Sequence, residues 1–257
     1  MSRTAGLRTT YALAAATVLA QIGYPLTSGT TRDRLTIATV VAFFATSVTH
    51  ALITRGLRFT IILLVVTSGG GLLVEAIGVR TGIPFGDYDY ADSLGAKALG
   101  VPIVVPLAWT MMAYPALLVA RRVTRRPLTG ALLAGAALAS WDLFLDPQMV
   151  DAGHWTWSAS GPHLTGIPVS NYLGWFLVAT VMMGLLHALV PTVDRGDVVV
   201  PYALYLWTYA SSVLANLAFF GRPLVALVGG VGMGLVVVLF LRSTQASPAG
   251  VRRLATT

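Results

Sequence analysis

Apolar runs of about 20 residues, the length that crosses the hydrocarbon core of a bilayer, recur along the whole chain and are separated by short polar stretches. They cover approximately 10–27, 35–54, 59–79, 99–120, 128–146, 171–190, 198–220 and 222–241. The last two are separated only by Gly221, Arg222 and Pro223, which predicts a tight hairpin, with one long broken span as the alternative. The pattern predicts an all-α, polytopic integral membrane bundle of seven or eight transmembrane helices, residues 1–257 forming a single transmembrane domain. Arg3 and Arg8 precede the first run, as they would in a signal peptide. Its apolar character continues past Ala20, which favours a retained helix.

Composition agrees. Hydrophobic residues make up 56% of the chain and charged ones 11%, against about 25% charged in ordinary soluble proteins, and the mean hydropathy is +0.76. The net charge of +7 comes from Arg in short clusters between the apolar runs. That is the positive-inside distribution and not a nucleic-acid surface. Alternate loops place Arg3, Arg8, Arg55, Arg58, Arg121, Arg122, Arg125, Arg126, Arg195, Arg242, Arg252 and Arg253 on one side, and Arg32, Arg34, Arg80, Lys97 and Arg222 on the other. With an even number of spans, both termini of this multi-pass chain are predicted on the cytoplasmic side of the cell membrane. The chain has no Cys, which removes disulfides, thiolate metal sites and thiol nucleophiles.

Two connections depart from the short-loop pattern, both on the side poor in positive charge. One runs from Arg80 to Gly100 and the other from Pro147 to Ser170. Each contains a Gly-Ile-Pro triplet, at 82–84 and at 166–168, a weak hint of an internal repeat. Between them they carry Asp87, Asp89, Asp92, Asp151, His154 and His163, interleaved with Tyr88, Tyr90, Trp155 and Trp157. For any one of these aromatics, an interfacial belt is the simple explanation.

Ionisable residues inside the spans carry more information, because a carboxylate at the bilayer centre costs roughly 2.5–3.5 kcal/mol even on the lenient insertion scale. Glu75, the only Glu in the chain, lies in the outer part of the third span. Asp142 and Asp146 stand four apart near the outer end of the fifth, and so share one helix face. Pro147 is expected to end that helix. The topology brings the three carboxyls to a similar depth near the two long loops, which predicts a polar pocket opening away from the cytoplasm and lined by Trp141, Trp155, Trp157 and Tyr90. The competing expectation is that one Asp caps or pairs with Arg80 and the others face water.

Other intramembrane polar residues point less clearly to chemistry. His50 and His187 lie near cytoplasmic helix ends, where satisfied interface residues are common. Asn171 directly precedes an apolar run and reads most simply as a helix N-cap. Asn216 is placed for an interhelical hydrogen bond, and Gly69–Gly71 and Gly229–Gly234 for close helix approach. A retinal-type Schiff base has no Lys in a late span to anchor it. The Asp142/Asp146 spacing matches one motif of membrane prenyltransferases, but the second Asp-rich motif is missing. HxxxH and HxxE spacings and a Walker-type loop are also missing, which leaves carboxylic acids and aromatics in an apolar cavity.

The run from Glu75 through TGIPFGDYDY and LGVPIVVPLAWTMMAYPA, followed by WDLFLDPQMVDAGHWTW and GIPVSNYLGW, resembles the carotenoid biosynthesis hydratases of the CruF type, which act on acyclic end groups in pathways such as that of bacterioruberin. The resemblance covers roughly residues 65–180 and rests on the pairing of the two motif blocks. It implies a membrane enzyme that adds water to the terminal double bond of a lipophilic carotenoid, without a cofactor, in a bilayer shared with other enzymes of the pathway and with no nucleic-acid partner. In such a reaction Glu75 or Asp142 would protonate the alkene and Asp146 or Asp87 would deprotonate the attacking water. The cation would rest on Trp141, Trp155 or Tyr90, with Tyr88, Trp109, Trp157 and Asn171 completing the substrate contacts. A proton-coupled transporter, a carotenoid-binding protein and an end-group cyclase are the alternatives, since hydration and cyclisation share the protonation step.

Overall fold

The computed structural model describes residues 3–190 and 196–245. Arg195, Arg252 and Arg253, counted above toward the cytoplasmic side, lie outside the described residues. Eight helices follow one another among those described: α1 (Arg3–Gly23), α2 (Gly29–Arg55), α3 (Leu57–Thr81), α4 (Val104–Val123), α5 (Pro127–Asp151), α6 (Val169–Leu189), α7 (Val199–Ala218) and α8 (Pro223–Gln245). All eight apolar runs are thus helical. Residues Val65–Gly69 of α3 adopt a π-helical turn, a feature that often marks a functional region of a helix. The hairpin between α7 and α8 is closed by the Arg222 amide donating to the Asn216 carbonyl at 2.8 Å.

Six of these helices are long and apolar enough to cross a membrane: α2, α3, α4, α5, α6 and α8. The two others are more polar for identifiable reasons. α1 carries Arg8, Thr9, Thr10 and Gln21, and α7 carries Trp207, Thr208, Ser211, Ser212 and Asn216. α1 packs on α2 and α7, and the Trp207 indole of α7 donates to Gln21 Oε1 of α1 at 2.8 Å. α4 is apolar on every side and occupies the centre, in contact with α2, α3, α5, α7 and α8. Trp109, Met112, Tyr114 and Leu117 on it are fully buried, as expected of a helix hydrophobic all round.

α5 and α6 approach most closely where glycine allows it. A Cβ on Gly135 would lie 2.8 Å from Thr180 Cα on α6, so small residues set this helix spacing, as in many membrane bundles. Gly71 likewise seats Trp109, and Gly229 seats Phe144. Gly69 touches no neighbouring helix in this way.

Three expectations are corrected here. Pro147 does not end its helix: α5 runs one turn further, to Asp151. Proline disfavours, but does not forbid, a preceding helical residue. This last turn is held from α8's side by Arg222, which donates to the Pro147 carbonyl at 3.3 Å and pairs with Asp151. Asn171 is not an N-cap, because α6 begins at Val169 after Pro168, which places Asn171 inside the first turn with its side chain turned into the bundle. Nor are the two Gly-Ile-Pro triplets equivalent. Residues 82–84 form a turn after α3 with a cis Ile83–Pro84 bond, whereas the counterpart of Gly166, Ile167 and Pro168 is Gly100, Val101 and Pro102.

The two long connections are not surface loops. Each holds one three-residue strand and one tiny hairpin: β1 (Tyr88–Tyr90), β2 (Lys97–Ala98) and β3 (Val101–Pro102) before α4, then β4 (Trp155–Trp157), β5 (His163–Leu164) and β6 (Ile167–Pro168) before α6. β1 and β4 pair antiparallel, Tyr88 opposite Trp157, Asp89 opposite Thr156 and Tyr90 opposite Trp155. The pairing satisfies backbone groups that would otherwise be stranded in a water-poor setting. Phe85 and Tyr88 are buried, so the ribbon enters the mouth of the bundle.

The α5–α6 contact generates a stability prediction. Gly135→Ala should cost about 1–3 kcal/mol through overpacking and lower the melting temperature in detergent. Gly184→Ala, whose Cβ would meet only Ala131 at 3.9 Å, should leave it unchanged or slightly raised. Equal effects would refute the close-approach explanation.

Candidate active site

The three intramembrane carboxyls converge, each held by donors from other elements. Glu75 of α3 is 3% exposed. Its Oε2 accepts from the Tyr88 hydroxyl at 2.6 Å and the Tyr90 hydroxyl at 2.9 Å, and its Oε1 accepts from the Trp109 indole at 3.1 Å. Two phenol hydroxyls and an indole N–H thus converge on it as donors, an arrangement suited to a carboxylate acceptor. Burial first, and then the Glu75 charge, push the Tyr88 and Tyr90 hydroxyls well above the ordinary phenol range, so both keep their protons and remain donors.

Asp142 and Asp146, one turn apart on α5, face α6 together. The Asn171 side-chain amide donates to both, at 2.9 Å to Asp142 Oδ2 and in a shorter contact to Asp146 Oδ2. The Trp155 indole adds a 3.1 Å hydrogen bond to Asp146 Oδ1. Asp142 Oδ1 is buried without a hydrogen-bond partner. Two carboxyls bridged by one amide form a pair suited to holding a single proton between them.

The strand ribbon supplies the aromatic wall through its alternation. Tyr88, Tyr90, Trp155 and Trp157 point inward while Asp89 and Thr156 are exposed. Tyr88 packs on Trp157 at 4.8 Å and Tyr90 on Trp155 at 5.6 Å between ring centroids. Below them, Trp109 of α4 and Trp175 of α6 stack at 3.9 Å with planes 7° apart, and Trp141 meets Trp175 edge to face.

An elongated cavity of about 1260 Å³, counted out to its mouth, runs from this cluster toward α1, α2 and α7. Glu75, Asp146, Asn171 and Trp175 line one end, and Gln21, Thr36, Ser211 and Phe220 line the far part. The polar positions of α7 therefore face inward, which explains why this helix is less apolar than its neighbours.

Of the predicted site residues, Glu75, Asp146, Tyr88, Tyr90, Trp141, Trp155, Trp157 and Asn171 line the cavity. Asp142 stands behind Asp146 and Trp109 behind Glu75. Asp87 is not brought to the site: it is exposed and packs against Gly82 at the end of α3. The other loop groups are engaged elsewhere, Asp92 with Lys97 at 2.7 Å, Asp151 with Arg222, and His154 with Ser93 at 2.7 Å. The competing expectation, one Asp paired with Arg80, gives way to the Asn171 amide and Trp155 indole as donors to Asp142 and Asp146. His50 is buried, its Nδ1 sharing a 2.8 Å hydrogen bond with Tyr114 and its Nε2 facing Asp197 at 3.7 Å, and His187 bonds the Met183 carbonyl. Asn216 bonds within its own helix, to the Ser212 carbonyl, and not across helices. Among the described residues no group of three His, Cys, Asp or Glu side chains could hold a metal ion. Sequence reasoning missed Trp175 and the far lining. Trp175 lies four residues after Asn171 on the same helix face, a signal that pattern reading could have used.

Residues 34–242 match the family described as carotenoid biosynthesis protein. The chain belongs to that family. One relative, the bisanhydrobacterioruberin hydratase of Haloarcula japonica, is 35% identical over 113 residues, which are 42% of this chain and 38% of the relative. The matched stretch thus spans well under half of that hydratase. No solved structure matches the chain. The family places the chain in carotenoid biosynthesis and accords with a membrane-embedded cavity for a lipophilic compound.

The hydrogen-bond map makes a coupling prediction. In detergent unfolding experiments, Asn171→Ala and Asp146→Ala should show a coupling energy of about 0.5–3 kcal/mol, whereas Asn171→Ala and Asp87→Ala should be additive within about 0.5 kcal/mol. Additivity of the first pair would contradict the bridging role of Asn171.

Proposed function

We propose that the protein is a carotenoid hydratase that adds water across the terminal trisubstituted double bond of an acyclic carotenoid end group. The observation that carries this reading is the convergence of a carboxyl pair and a separately held carboxylate at one end of a long, aromatic-walled cavity. The name of the Haloarcula relative supports it.

In this mechanism the Asp142–Asp146 pair provides the acid, since Asp146 faces the cavity and Asp142 sits behind it as proton partner. Asp146 transfers a proton to the less substituted alkene carbon. The π bond breaks, a C–H bond forms, and a tertiary carbocation remains. Water attacks that carbon and loses a proton to Glu75, giving a tertiary alcohol. The Glu75 proton returns to the aspartate pair through solvent, which closes the cycle with no net proton change. The acid assigned from sequence shifts accordingly, because Glu75, surrounded by donors, is the better acceptor. Neither step requires an electron carrier. The cavity opens away from the cytoplasm, with both termini on the cytoplasmic side of the cell membrane.

The test is expression in a lycopene-producing bacterial host, with the extracted carotenoids analysed by mass spectrometry. The unsubstituted chain should yield products heavier than their precursor by one or two waters. Asp146→Asn and Glu75→Gln should each reduce hydration at least about 100-fold, the lower range of general acid–base contributions, while Asp87→Asn should leave it intact. An isomer of unchanged mass would replace hydration by cyclisation, and unaltered activity in both carboxyl variants would overturn the assignment of roles.

A further inference from the structure

The two strand-bearing connections, with the helices that follow them, repeat one another, with one residue fewer between strand and hairpin in the second. Tyr88-Asp89-Tyr90 corresponds to Trp155-Thr156-Trp157, each strand presenting two aromatics inward around an exposed polar residue. Lys97-Ala98 corresponds to His163-Leu164. Leu99 and Thr165 both adopt φ 55°, and Gly100 and Gly166 follow at φ 90° and 87°. Val101-Pro102 and Ile167-Pro168 then lead into α4 and α6, where Trp109 and Trp175 occupy the same position seven residues after the proline. A left-handed non-glycine residue is uncommon. Its recurrence at matched positions, followed each time by a left-handed glycine, is a backbone signature that the side chains do not impose.

The two strands of these copies meet about a local two-fold centre. The β1–β4 pair is antiparallel and centred on Asp89 and Thr156, and the equivalent indoles lie face to face, 3.9 Å apart with planes inclined by 7°. Each copy is preceded by a helix carrying a buried carboxyl that accepts from an aromatic of its own strand: Glu75 from Tyr88 and Tyr90, Asp146 from Trp155.

Against this symmetry, the two equivalent tryptophans have diverged. Trp109 is fully buried and gives its N–H to Glu75. Trp175 is 7% exposed, and it lines the cavity. It is tied to both carboxyl poles. Through the stack it adjoins Trp109 and hence Glu75, and through its own helix it lies one turn from Asn171, which holds Asp142 and Asp146.

We infer that Trp175 is the catalytic ring against which the carbocation forms, and that Trp109 is a positioning residue for Glu75. This rests on the hydratase reading above. A carbon that takes its proton from Asp146 and its water from the Glu75 side sits in the cavity that both carboxyls line together with Trp175, and an indole is the side chain whose face best attracts a cation. The flanking copy-related aromatics, Tyr88 and Tyr90, have their hydroxyls committed to Glu75.

The experiment is site-specific replacement of Trp175 by tryptophans bearing one to four ring fluorines, which weaken the cation-attracting face while nearly preserving shape. Turnover of a hydratable carotenoid should fall stepwise with each fluorine at constant KM, reaching about 30-fold for the most fluorinated ring. A corresponding series of fluorinated phenylalanines at Phe59, which is buried and does not line the cavity, should be flat. A flat series at Trp175, with normal hydration by the unsubstituted chain, would overturn the role of Trp175 alone. No hydrate from the unsubstituted chain would overturn the functional reading, and this role with it.

Discussion

Placing three carboxyls inside a membrane bundle is the constraint on which the rest of the arrangement depends. An isolated charge or an unpaired polar group is costly in a water-poor interior, so each carboxyl draws on donors, and no single helix supplies them. Glu75 takes its donors from β1 and α4, and the aspartate pair takes its donors from α6 and β4. The two long connections must therefore fold back into the mouth of the bundle. Once there, their backbone groups must pair as well, and this is met by the β1–β4 ribbon. The aromatic wall follows from that pairing, because strand alternation turns Tyr88, Tyr90, Trp155 and Trp157 to one face.

Much of this was legible in the sequence. Length and apolarity alone predicted all eight helices, including the tight turn at Gly221–Pro223, because the cost of exposing backbone in lipid leaves few alternatives. The same cost singled out Glu75, Asp142 and Asp146. The partners of these groups were harder to read. Asn171 resembled a cap because it precedes an apolar run, yet Pro168 and Val169 start the helix earlier and free its amide to bridge two aspartates on another helix. Asp87 resembled a site residue because it sits among the aromatics, but strand alternation and the turn at Gly82 point it outward. Pro147 looked like a terminus, and contacts from Arg222, distant in sequence, carry the helix past it. The internal repeat was glimpsed through the wrong triplet, since the shared feature is a backbone conformation at Leu99–Gly100 and Thr165–Gly166 that composition does not display. In each case the decisive contact lies between elements far apart along the chain.

The arrangement also accounts for how an acid site can coexist with a lipophilic ligand. The carboxyls and their donors occupy one end of the cavity, while its walls are chiefly apolar and aromatic. In the proposed reaction the carotenoid end group would reach the acids from along these walls. Thr208, Ser211 and Ser212 of α7 and Gln21 of α1 line the same space, and in the proposed reaction their polar groups would receive the water. Membership of a carotenoid biosynthesis family gives such a cavity a fitting class of ligand.

Water is the source of the new hydroxyl oxygen in the proposed reaction, and isotopic labelling tests that most directly. Membranes containing the protein, supplied with an acyclic carotenoid in water enriched in oxygen-18, should form a tertiary alcohol that carries the heavy isotope at each newly hydrated end. An alcohol that stays unlabelled in heavy water, and takes up label from oxygen-18 gas instead, would contradict hydration and the roles given to Asp146 and Glu75.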